Sequence, residues 1–181
     1  FTNLPAGGSR EISVGSLKVA ADLESSLKPA PEDVSSVGIT KEIFLKTDNT
    51  LITSGQVVEL LFPGNTIGRN FEPDVTIFTY YSGAKYYPGY VFKFKSDAEY
   101  DVATAGLKKS IEKDVTWTVA SGAPGAPGGS WKDGNVSGAQ WVRYITYSST
   151  GVSFNYGRVG NYIVLSHSLE GFKEAVSLLP R

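Results

Sequence analysis

The chain has no cysteine and no methionine. Without Cys there is no disulfide, no iron–sulfur cluster and no thiol catalysis. The same lack agrees with a bacterial protein working outside the cytoplasm. A chain without Met does not open on a start codon, so Phe1 is expected to be a cut or processed terminus, with any signal peptide or anchor upstream. Histidine occurs once, at His167. A protein-only zinc site is therefore short of its usual ligands, and no metal or cofactor is expected. Charge of one sign is also missing: 17 basic against 18 acidic residues leave a net charge of −1. No basic excess exists to neutralise phosphates, so nucleic acid and anionic membrane surfaces are not expected partners. The longest apolar run, Val57 to Phe62, is broken by Glu59. It falls far short of the ~20 residues a membrane span requires. Membrane attachment is expected only through an anchor outside this chain.

What remains is globular in kind, with 41% hydrophobic and 19% charged residues, enough for one well-buried domain in 181 residues. Residues 1–38 read as a Gly/Pro/Ser-rich tether followed by a short helix. Ile12 and Val14 alternate like a strand, and Leu17, Ala20, Ala21 and Leu27 take helical spacing behind Ser16. Residues 39–181 read as a single domain. Lys41 to Lys46 is a strand that turns at Asp48-Asn49. Thr53 and Gln56 stand three apart as a capping box, opening a helix that Pro63-Gly64 stops. Val75 to Tyr81 and Gly89 to Lys95 form a hairpin around Gly83, and Ser96 with Glu99 opens the next helix. A short strand is expected over Val115 to Val119. Three more follow at Trp141 to Tyr147, Val152 to Gly157 and Tyr162 to His167, and Ser168 caps a last helix.

Two windows repeat, GYVFKFKSDAEYDVA from Gly89 and NYIVLSHSLEGFKEA from Asn161. Set 72 residues apart, they align Tyr90 with Tyr162, Ser96 with Ser168 and Tyr100 with Phe172. Each is a strand, a serine cap and an amphipathic helix, preceded by another strand. A duplicated strand–strand–helix unit predicts an α+β two-layer sandwich, loosely ferredoxin-like, with an antiparallel sheet and its helices packed on one face. Lys93, Lys95 and His167 are then expected on the other, solvated face.

Between the two units runs SGAPGAPGGSWKDGNVSG, residues 121–138. A P-loop needs Lys-Ser/Thr directly after its glycines, and here Gly128-Gly129 leads to Ser130-Trp131. A slack surface loop accounts for the stretch, because eighteen residues cost only ~1.3 kcal/mol more to close than four. Trp131 alone resists that account. It either tucks back onto the domain or waits for a partner.

Candidate chemistry is sparse. His167 has no nucleophile or carboxylate at a useful spacing and reads as a strand-end residue. Asp97, Glu99 and Asp101 fit the N-terminal end of a helix dipole. Asp133-Gly134-Asn135 is a fragment of a calcium loop and reads as a turn. Tyr80, Tyr81, Tyr86, Tyr87 and Tyr90 crowd one hairpin. Such rings stack on sugars or partner side chains, so with Trp131 they are the candidate binding residues. Tyrosine is also a favoured strand residue, and adjacent ones point to opposite faces.

The runs EPDVTIFTYYSG and YPGYVFKFKSDAEYDVA, with the later GVSFNYGRVGNYIVLSHSLEGFKEAV, resemble uncharacterised extracytoplasmic domains of membrane-anchored bacterial proteins of the candidate-phyla type. The resemblance covers roughly residues 39 to 179 and carries no catalytic residue. It implies location in the cell envelope, behind an upstream transmembrane helix. The expected function is a non-enzymatic structural or protein-interaction domain, whose partner is another protein or an envelope component. The alternatives are a carbohydrate or peptide binder using the tyrosine hairpin, and an enzyme whose carboxylates meet only in the fold.

Overall fold

The computed structural model describes residues 8–28, 38–83, 85–113, 126–147 and 152–180. The strand expected over 115–119 lies outside them. Nine strands form one sheet: β1 (Ser9–Val14), β2 (Ile39–Thr47), β3 (Thr50–Leu51), β4 (Phe71–Ser82), β5 (Lys85–Phe94), β6 (Lys132–Gly134), β7 (Trp141–Thr146), β8 (Ser153–Val159) and β9 (Tyr162–Ser166). Four helices accompany them: α1 (Ala20–Ser26), α2 (Ser54–Leu61), α3 (Asp97–Lys113) and α4 (Leu169–Leu178). The order across the sheet is β1-β2-β4-β5-β9-β8-β7-β6, and β3 pairs with β2. Every pairing is antiparallel except β1 with β2, which run parallel.

Local chemistry sets the element ends. Asp48 and Asn49 both take positive φ, 49° and 62°, as a two-residue hairpin loop between β2 and β3 requires. The Thr53 hydroxyl accepts from the Gln56 amide N–H, and the Gln56 side chain accepts from the Thr53 N–H at 2.9 Å, so the capping box closes at both ends. Ser168 Oγ accepts from Gly171 N–H at 2.9 Å and starts α4. α1 begins at Ala20, later than the Ser16 spacing suggests. There Asp22 Oδ2 accepts from the N–H groups of Lys18 and Val19, and these bonds lower the Asp22 pKa.

The strands bury both faces, which corrects the two-layer expectation. Along β5, Tyr90, Phe92 and Phe94 pack with Ile77 of β4, Val57 and Val58 of α2, and Leu107 and Ile111 of α3. Their neighbour Val91 points the other way and packs with Phe78, Val164 and, from α4, Phe172 and Val176. Helices α1, α2 and α3 therefore cover one face and α4 the other, so the helices are not confined to a single side. The ferredoxin-like duplication fails for the same reason. A rotation exchanging β4-β5 with β8-β9 has its axis normal to the sheet and keeps both helices on one side. Here α3 and α4 lie on opposite sides.

Residues 8–28 also belong to the body. β1 extends the sheet, and Leu23 of α1 and Leu27, which caps that helix, are 0% and 1% exposed. Leu23 and Leu27 share one core cluster with Ile43 and Leu45 of β2. Gly89 shows how closely β4 and β5 approach. It stands opposite Phe78, and a Cβ there would overlap the Phe78 ring.

Candidate functional site

The tyrosine hairpin is placed mostly inward. Register pairs Tyr81 with Tyr86, Tyr80 with Tyr87 and Ile77 with Tyr90. Tyr81 and Tyr90 are each 1% exposed and Tyr87 is 8%. Tyr80 and Tyr86 are half-buried. Burial raises the Tyr90 hydroxyl pKa, and the nearby Glu24 carboxylate adds to the shift. Tyr86 is raised by the same two causes in the same order. Tyr86, Tyr90 and Glu24 are thus brought together under α1, while Tyr80 and Tyr87 face each other across the β4–β5 ladder. Tyr81, Tyr87 and Tyr90 cannot stack on a ligand without opening the fold.

Trp131 is half-buried and lies edge-on to Phe154 and Tyr156, with ring centroids at 5.9 and 5.3 Å. The glycine-rich stretch is not slack over its described part. Gly128 N–H donates to Thr146 O at 2.7 Å, and β6 pairs with β7. Asp133 and Gly134, a calcium-loop fragment by sequence, lie in β6. Beneath Trp131 an ion-pair network ties three strands to α3. Arg143 Nε donates to Glu112 Oε1 at 2.6 Å, Nη2 to Glu112 Oε2 at 3.3 Å, and Nη1 to Asp133 Oδ1 at 2.8 Å. The buried Tyr156 hydroxyl donates to the same Glu112. Glu112, opposed by desolvation and helped by Asp133, holds the guanidinium pKa above its ordinary value. Burial, then the Glu112 contact, raises that of Tyr156. Two carboxylates converge here, and both pair with the single guanidinium of Arg143.

His167 does not sit on a solvated face. It is 4% exposed, edge-on to Phe154 at 5.7 Å, and its Nε2 is buried without a hydrogen-bond partner. Burial lowers its pKa to about 3, so the ring is neutral at ordinary pH. Lys93 and Lys95 are exposed, as expected. Among the described residues, no group of three or more His, Asp or Glu side chains is placed to hold a metal ion.

The structure adds a site that the sequence reading missed. On the α4 side, a groove of about 260 Å³ opens beside the helix start. Its floor is Val142, Tyr144 and Thr146 of β7 with Ser153 and Asn155 of β8. Leu169 of α4 forms one wall, 38% exposed, and Gly134 to Val136 form the other. Asn155, 1% exposed, donates from Nδ2 to Ser153 Oγ at 2.9 Å, which fixes its amide at the base. Gly134 sits close against Tyr144, and a Cβ there would lie 3.1 Å from the ring, which would have to shift by a few tenths of an ångström. Among the described residues, no charged side chain lines the groove. The available signal was Asn155, an amide in the middle of the otherwise apolar Phe154–Tyr156 run.

No family model, no curated protein and no solved structure matches this chain. No helix among the described residues is long and apolar enough to cross a membrane.

Proposed function

We propose that this chain is a non-enzymatic protein-interaction module. The observation that carries the reading is the uncharged groove beside the start of α4. Its apolar parts, Val136, Val142 and Leu169, alternate with the neutral polar side chains of Asn135, Thr146 and Ser153. That lining suits an extended stretch of a partner protein offering one or two uncharged, apolar side chains. The groove, of about 260 Å³, has room for one or two such side chains. The extracytoplasmic, envelope-associated setting, behind an anchor outside this chain, is part of the proposal. The cysteine-free composition and the sequence resemblance support it. A carbohydrate or peptide platform on the tyrosine hairpin is less favoured, since only Tyr80 and Tyr86 of its five rings are partly accessible.

Selection from a random peptide library tests the proposal, with binding mapped by amide chemical shifts. Peptides with an uncharged apolar pair are expected to perturb Tyr144, Thr146 and Leu169, and Leu169→Glu is expected to weaken them at least tenfold. Leu169 begins the helix, where an acidic residue is compatible with the fold. Peptides that bind Leu169→Glu equally well, or that map elsewhere, would remove the groove from the account.

A further inference from the structure

The two edges of the sheet are finished differently. At one, β6 is three residues long and enters from an irregular segment, the usual way an edge is blunted. At the other, β1 offers six residues with no proline and no lysine, and no described strand lies beyond it. The direction of its backbone groups follows from one bond. Glu42 N–H donates to Gly8 O, so Gly8, Arg10, Ile12 and Val14 turn their backbone groups to β2. The N–H and C=O groups of Ser9, Glu11 and Ser13 then point outward. The charges on β1 do not guard that edge. Glu11 pairs with Lys46 at 2.8 Å and Arg10 donates to Lys28 O at 3.2 Å.

The geometry points to β1 as a docking edge for a second copy of this chain, paired antiparallel about a twofold axis normal to the sheet. The strand overlaps itself over five of its six residues in two registers, centred on Glu11 and on Ile12, and only the second is free of like-charge pairs. Directly opposed residues must share a face, so the axis passes through a residue position. Centring on Arg10 opposes two arginines, and centring on Glu11 opposes two carboxylates, both unfavourable. Centring on Ile12 sets Ile12 against its symmetry mate, Arg10 against Val14 and Glu11 against Ser13. No like charges meet, and the outward groups of Glu11 and Ser13 supply ladder bonds on both sides of the axis. The Ile12 pair falls in the non-hydrogen-bonded position, where side chains come closest.

The absence of cysteine makes a clean test. Sedimentation from micromolar to near-millimolar protein is expected to show a monomer–dimer equilibrium. Ser13→Pro removes an outward donor without touching the β1–β2 ladder, and it is expected to shift dissociation at least tenfold toward monomer with an unchanged melting curve. Ile12→Cys, the only thiol in its chain, is expected to oxidise to a covalent dimer, and Val14→Cys is not, because Val14 faces Arg10. A wild-type chain monomeric at every concentration overturns the inference. So does a dimer that survives Ser13→Pro and leaves Ile12→Cys uncrosslinked.

Discussion

His167 is the residue whose environment differs most from its expected one. Its folded pKa of about 3 lies below the ordinary 6.5, so between those values the unfolded chain binds a proton that the folded chain refuses. Stability is therefore unaffected by this group above about pH 6.5 and declines as pH falls toward 3, by up to ~1.4 kcal/mol per pH unit. His167→Leu is expected to flatten the acid limb by about that slope in urea denaturation at pH 7 and pH 4. Equal slopes for the two proteins would mean that the ring is solvated. The sequence placed His167 correctly at a strand end but on the wrong kind of face. Ile163-Val164-Leu165 is an unbroken apolar run, the pattern of a strand buried on both sides. Aromatic alternation in β5 suggested one dry face and concealed the second.

At the scale of elements, the helices and hairpins were legible because their signals are local. Thr53 with Gln56, Ser168 before α4 and Asp48-Asn49 each need only a few neighbours to act. What joins the elements was not legible. Glu112, Arg143 and Tyr156 lie 31 and 44 residues apart from the carboxylate outward, and no periodicity announces such a network. Nor were the strand β6 and the groove beside α4 legible, since both depend on the glycine-rich segment returning to β7. Glu112→Ala is expected to cost about 2 kcal/mol, since it strands the buried Tyr156 hydroxyl and half of the Arg143 fork. Glu112→Gln keeps an acceptor and is expected to cost less. Lys173→Ala, in the exposed pair with Glu170, is expected to cost under ~0.5 kcal/mol. Equal losses for all three in urea denaturation would show that the network does not anchor α3.

For the molecule as a whole, the test of one shared body is removal of the first 37 residues. Leu23 and Leu27 alone are worth roughly 2–5 kcal/mol each, against a typical total of ~5–15. A chain starting at residue 38 also leaves Ile43 and Leu45 without Ile12 and Val14 beside them. It is expected to lose a cooperative melt by circular dichroism and to aggregate. An unchanged melting temperature would mean that β1 and α1 are appended to a complete fold.

The pairing of β5 with β9 sets Gly89 against Ser166 and Lys93 against Tyr162, at the middle of the sheet. A growing polypeptide, leaving a ribosome or a translocation channel from its N-terminus, holds β5 long before β9 arrives. Until residue 166 emerges β5 presents a long bare margin, and until residue 178 follows Val91 has no α4 above it. Synthesis of this protein thus includes an interval in which a central strand of its sheet is half dressed.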